Sequence, residues 1–133
     1  MPTGQLPTSH LDLLERPVIG QFATVDAEGR PQVNPVWFLF EGQRLLLSVK
    51  GGTAKLRNMR GNHQVALSVV DPDDPFRYLE LRGRVISFEL YKTLTFVNLL
   101  AQKYTGADFT GGHAGEERYK VTISIESWTA SGG

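Results

Sequence analysis

The stretch Val33–Phe40 reads Val-Asn-Pro-Val-Trp-Phe-Leu-Phe. In an extended chain successive side chains alternate in direction, so Val33, Pro35, Trp37 and Leu39 share one face and Val36, Phe38 and Phe40 the other. A strand that is apolar on both faces has none to give to bulk water. Other strands or helices must cover it on both sides. Its neighbours supply the first of them. Val18–Val25 is rich in β-branched and apolar residues, Asp26-Ala27-Glu28-Gly29 is a turn, and Glu41-Gly42 leads into a further strand over Arg44–Lys50. Three strands joined by two tight turns make a meander.

The pattern then changes period. Thr53–Arg60 has helical spacing with Leu56 and Met59 inward, and Gly61-Asn62 ends it. Val65–Val70 is a strand, Asp71–Pro75 a loop, and Arg77–Phe88 a strand with Leu79, Leu81, Gly83 and Val85 on one face. Leu90–Tyr104 reads as an amphipathic helix with Leu94, Val97, Ala101 and Tyr104 on its stripe. Thr105–Glu117 is glycine-rich and expected to be mobile; Arg118–Ile125 is the last strand. Near the start, Thr8 or Ser9 caps a short helix carrying Leu11, Leu13 and Leu14, which Pro17 stops. Six strands with short helices between them predict a mainly β fold, a Greek-key type of barrel.

At 133 residues the chain has the size of one domain, 1–133, able to bury roughly 68–70% of its extended-chain surface. Residues 1–8, with Pro2, Gly4 and Pro7, are expected to form a flexible arm. There is no cysteine, which excludes disulfides, a thiol nucleophile and thiolate metal sites. The 14 basic and 14 acidic residues balance, which argues against a nucleic-acid partner. No apolar run approaches the roughly 18 residues that span a bilayer, and Met1–Gln5 has no leader-like pattern. The expectation is a cytoplasmic protein with no membrane partner.

The segment richest in chemistry is Ser48-Val49-Lys50-Gly51-Gly52-Thr53-Ala54-Lys55-Leu56-Arg57-Asn58-Met59-Arg60. A strand enters a Gly-Gly loop and then a helix start, where free N–H groups and the helix dipole favour an anion. Lys50, Lys55, Arg57 and Arg60 add charge, and Thr53 adds a hydroxyl. Lys55 and Asn58, three apart, share a helix face. It is not a G-x-x-x-x-G-K-[ST] loop. The same residues also fit a capped helix with a solvated basic face.

Trp37 fits a ring-stacking wall or an ordinary core position. Glu80, Arg82 and Arg84 fit an interface ion network or a solvated face. His10, His63 and His113 have no metal-ligand spacing, and Asp71–Asp74 lacks a calcium-loop pattern, so no metal is expected. Ser48, Ser68 and Ser87 have no G-x-S-x-G context. No catalytic residue stands out.

Arg16–Gly20 followed by Ala23–Phe38 resembles the opening of the pyridoxamine 5′-phosphate oxidase-like split β-barrel superfamily. The run Lys50…Lys55-Leu56-Arg57-Asn58-Met59-Arg60 is similar to its phosphate-binding strand and helix, and Arg77–Val85 to its fifth strand. Lys103-Tyr104-Thr105-Gly106 resembles the end of the long helix in the subgroup that uses the deazaflavin F420. The resemblance spans about residues 10–127 and implies an FMN-binding split-barrel fold and a homodimer with cofactor sites at the interface. By position it implies that Lys50, Thr53, Lys55, Arg57 and Asn58 hold the cofactor phosphate. Asn34, Pro35, Val36 and Trp37 would line the ring system, Ser48 and Val49 would meet its polar edge, and Tyr78 would reach in from the fifth strand. The implied activity is an F420-dependent oxidoreductase that passes a hydride to a conjugated, electrophilic small molecule. The alternatives are an FMN-dependent oxidase or reductase, or a protein that binds F420 or flavin without turnover. Pyridoxamine phosphate oxidation is not expected, because Glu126–Gly133 lacks the Arg/His signature associated with it.

Overall fold

The computed structural model describes residues 2–132. After a 3-10 turn at Thr8–His10 come α1 (Asp12–Glu15), β1 (Gly20–Val25), β2 (Pro31–Val36), β3 (Leu39–Glu41) and β4 (Arg44–Lys50). Next are α2 (Ala54–Gly61), β5 (Gln64–Asp71), β6 (Asp74–Tyr91), α3 (Thr95–Thr105) and β7 (Arg118–Ser131). The strands form one antiparallel sheet in the order β2-β1-β5-β6-β7-β4-β3. Phe22 of β1, Leu47 of β4, Leu67 of β5, Leu79 and Leu81 of β6 and Val121 and Ile123 of β7 meet in one core, so the sheet curls around its own apolar face as a split barrel. Leu13 and Leu14 of α1 and Leu56 and Met59 of α2 join the same core.

β6 is long enough to serve two neighbours. It pairs with β5 from Asp74 to Arg84 and with β7 from Tyr78 to Tyr91. The β6–β7 register slips between Arg82 and Gly83. There the backbones approach so closely that a Cβ on Gly83 would stand 2.5 Å from the carbonyl oxygen of Ser124. Only glycine passes such a point without moving a strand.

Four expectations are corrected. The described residues hold seven strands, not six, because Val33–Phe40 is not continuous. It breaks at Trp37-Phe38 between β2 and β3, where Phe38 turns into the core, fully buried, and its N–H is met by a tyrosine hydroxyl. Nor does a single chain cover that segment on both sides by itself: Val33 is 59% exposed, and β2 is a sheet edge paired only with β1. The third helix starts at Thr95, not Leu90, because Leu90 and Tyr91 are still paired with Tyr119 and Arg118 of β7. Ladder pairing there overrides the helical period. The last strand runs on to Ser131, with Trp128 opposite Leu81 and Ser131 opposite Tyr78.

The start of the chain is tied to the barrel. Leu6 is buried, Trp128 N–H donates to the carbonyl of Pro2, and the buried His10 bonds Ser9 Oγ through Nδ1 and the Ser131 carbonyl through Nε2. Arg77 fastens α1 to the β5–β6 turn. It donates to both carboxylate oxygens of Asp12, to Asp71 at 2.9 Å and to the carbonyl of Ser9 at 2.7 Å. Among the described residues no helix is long and apolar enough to cross a membrane.

Candidate functional site

A cavity of about 410 Å³ opens where the β2–β3 break, β4, the first turn of α2 and α3 converge. Pro35, Val36 and Trp37 form one wall, Leu47, Ser48 and Val49 another, and Val97 and Leu100 of α3 a third. Phe109, from the glycine-rich connection, and Arg118, the first residue of β7, complete it. The local sequence explains each wall. β4 buries Leu45, Leu46, Leu47 and Val49 almost completely, yet leaves Ser48 partly open to the cavity. Val97, Leu100 and Ala101 are the buried stripe of α3.

Trp37 has one ring face already taken. Tyr104 stacks on it, with centroids 5.4 Å apart and planes within 8°, and Phe109 meets it edge-on at 6.2 Å. Tyr104 is fixed in turn. Its hydroxyl donates to the carbonyl of Val18 at 2.9 Å and accepts the N–H of Phe38 at 3.3 Å. Burial pushes its phenol up to about 12. Beside it, the Lys103 ammonium donates to the carbonyls of Leu14 at 2.8 Å and Phe38 at 2.9 Å and lies 4.1 Å from the Phe38 ring centroid. Burial lowers this lysine to about 8.

The cationic end is arranged differently. Gly51-Gly52 makes the turn from β4 into α2, with Gly52 at φ +80°, a left-handed conformation that glycine adopts freely. Thr53 caps the helix: its hydroxyl accepts from the N–H of Leu56 and donates to the carbonyl of Lys50. Lys55 follows and faces the cavity, half-buried, with no hydrogen bond or ion pair among the described residues. Desolvation lowers its pKa. Across the β4–β7 ladder Lys50 stands opposite Arg118. Two like charges in that position repel, and Glu116 answers both. Its Oε1 lies 2.9 Å from Lys50 Nζ and 3.6 Å from Arg118 Nη2. The bond from Lys50, more than the nearby charges, holds the Glu116 carboxyl below the usual range.

Of the residues singled out in the sequence, Pro35, Val36, Trp37, Ser48, Val49 and Lys55 line this one cavity. The remaining ones do not. Thr53 is occupied as a cap, and Lys50 as the partner of Glu116. Arg57 folds back to donate to the carbonyl of Gly52 at 3.1 Å. Asn58 does not line the cavity that Lys55 faces. It donates to Thr24 Oγ1 at 3.1 Å and Gln32 Oε1 at 3.2 Å, and with Arg57 it lines a separate concavity of about 390 Å³ beside Asp26 and Arg30. Asn34 accepts from Gln32 Nε2 at 2.6 Å. Tyr78 lies on β6 between Val70 and Ser131, away from the cavity wall of its own chain. Sequence reading missed Phe109 and Arg118. A lone aromatic in a glycine-rich segment was a usable signal for the first; nothing local marked the second.

Ser48 has one further contact. Its hydroxyl and that of Tyr91 share a short hydrogen bond. Burial pushes the Tyr91 phenol up. No group of His, Cys, Asp and Glu residues able to hold a metal ion occurs among the described residues.

The arrangement is a mostly apolar slot with one hydroxyl and two cations at its rim. Such a slot suits a planar ring system that carries an anion. Walls and charge together fit a flavin-type cofactor: the lining is mostly apolar, and Lys55 has no counter-ion among the described residues.

The family model described as pyridoxamine 5′-phosphate oxidase matches residues 6–123. Among solved structures, an F420 reductase is 35% identical, with 93% of this chain and 98% of that chain covered and a TM-score of 0.87. HupZ of Group A Streptococcus is 17% identical over 97% of this chain and 100% of that one, at a TM-score of 0.67. General Stress Protein 26 of Bacillus anthracis is 18% identical over 92% and 94%, at 0.66. The last two share the fold.

Proposed function

The chain belongs to the pyridoxamine 5′-phosphate oxidase family, and from that premise we propose that it is an F420-dependent oxidoreductase acting on a conjugated, electrophilic small molecule. The observation that carries this reading is Lys55: a half-buried cation on a mostly apolar cavity, with no counter-ion among the described residues. An unpaired, partly desolvated ammonium is costly unless an anion arrives to share the site. The likeness to an F420 reductase over most of both chains supports the choice of cofactor.

In this reading Lys55 meets the cofactor's phosphate, helped by the helix start of α2. Pro35, Val36 and Trp37 bear on the ring system, and Ser48 offers a hydroxyl to its polar edge. Trp37 cannot swing away, because Tyr104 and Phe109 brace it. Bound here, reduced F420 would supply a hydride to the acceptor, whose reduction is completed by one proton from bulk solvent after the hydride has been passed. The protein binds, orients and keeps water off the reacting faces. The same reading has the protein act in the cytoplasm as a homodimer, supported by the uncovered apolar edge at Val33 and Pro35. Residues that do not line the cavity of their own chain, Tyr78 among them, would then face the partner's.

The test is a parallel titration of the purified protein with F420 and FMN, followed by quenching of Trp37 and Trp128 fluorescence. Tighter binding of F420 is expected. Tighter binding of FMN would move the protein to an FMN-dependent oxidase or reductase, and binding of neither would end the reading. Binding of F420 with no turnover over many acceptors would leave a carrier of the cofactor.

A further inference from the structure

The cavity has two cations on its wall, Lys55 and Arg118. The proposed cofactor accounts for Lys55 and leaves Arg118 without a task. Arg118 is only 9% exposed. Its guanidinium packs against Phe109, 4.9 Å from the ring centroid. Its nearest carboxylate oxygen, on Glu116, is 3.6 Å away, beyond hydrogen-bond reach, and that oxygen is already bonded to Lys50 at 2.9 Å. Its Nε is buried and makes no hydrogen bond among the described residues.

Arg77 shows what a purely structural arginine looks like in this protein. It is about equally buried, and it is bonded out by Asp12, Asp71 and the carbonyl of Ser9. A buried guanidinium left short of protein acceptors costs free energy that a ligand bearing a matching acceptor can return. A guanidinium offers parallel N–H donors in a plane, the geometry that a carboxylate matches with its two oxygens. The aromatic side chains of Trp37 and Phe109 next to it suit a flat molecule.

We propose that Arg118 is the docking residue for a carboxylate on the hydride acceptor, so that the substrate class is planar, conjugated carboxylic acids. Glu116 is the internal stand-in that shares Arg118 until the substrate carboxylate takes its place. The role as acceptor rests on the oxidoreductase reading above; the carboxylate site itself does not.

Cinnamate and cinnamamide, alike in shape and different in charge, separate the two. Each is titrated by calorimetry into the protein as purified and again with saturating F420. Wild-type protein is expected to bind cinnamate about tenfold more tightly than the amide, the size of one charge-assisted hydrogen bond. Arg118→Gln should bring that ratio close to one while F420 affinity stays within about twofold. The proposal is overturned if wild type does not discriminate, if Arg118→Gln keeps the ratio, or if the variant loses F420 in step with cinnamate, which would make Arg118 a cofactor ligand. Should Arg118→Gln fail to fold, Glu116→Gln decides. Removing the competing carboxylate should widen the ratio severalfold, and an unchanged or narrower ratio overturns the proposal. A discriminating wild type that binds no F420 would sink the cofactor reading alone and leave the carboxylate site in place.

Discussion

Lys55 and Lys103 are both half-buried, and burial lowers the pKa of each. They differ in what the ammonium meets. Lys103 reaches two backbone carbonyls, of Leu14 and Phe38, at 2.8 and 2.9 Å. Lys55 reaches none among the described residues and faces a cavity. The first is a strut: it spans from α3 to α1 and to the β2–β3 break, and holds Phe38 and Tyr104 where Trp37 needs them. The second is a socket. Burial and pKa direction do not tell these roles apart; the list of hydrogen-bond partners does.

The contrast breaks most sharply at Lys103. Lys103→Ala strands two carbonyls and should lower stability by about 3 kcal/mol, read as a shift in the urea midpoint. An unchanged midpoint would remove its role as a strut. Lys55→Ala should do the opposite. Stability should hold or rise slightly, while F420 binds about thirtyfold more weakly. A loss of stability without a loss of affinity would make Lys55 structural and end the contrast.

Tyr104→Phe keeps the stack on Trp37 and deletes the bonds to Val18 and Phe38. About 1 kcal/mol of stability should go, with little change in cofactor affinity by the same fluorescence titration. The smallest effect is in pH. Between about pH 8 and the ordinary lysine value of 10.5, the unfolded chain keeps a proton that folded Lys103 has released. The unfolded state then binds more protons, so this residue's contribution to stability grows as pH rises through that window and is lost as pH falls through 8. Lys103→Met should remove this rise from a pH series of urea midpoints. Tyr104 acts with the opposite sign above its ordinary 10.0, where the folded phenol keeps its proton up to about 12.

The sequence carried the strands and the basic helix start because these depend on local pattern. The alternation in Arg77–Val85 and the Gly-Gly turn into Thr53 needed no knowledge of the rest of the chain. What it could not carry was register. Arg118 becomes a cavity residue because β7 pairs Arg118 with Lys50, a relation between positions far apart. Asn58 is turned from the Lys55 cavity because Thr24 and Gln32, brought near by β1 and β2, accept from its amide. Leu90 and Tyr91 looked helical because their hydrophobic period continues into α3, and only the ladder to Tyr119 and Arg118 shows otherwise.

The strand order has a consequence in time. β4 has two sheet neighbours, β3 beside it in the chain and β7 at the far end. Ser48 and Val49 thus lie on a strand whose second edge stays open until residues 118–124 arrive to pair with it. During synthesis the ribosome delivers β7 after the other six strands, and pairings between such distant segments form slowly. Only then do Lys50, Glu116 and Arg118 come together. A nascent chain therefore has its core leucines and its Gly-Gly turn well before it has a pocket.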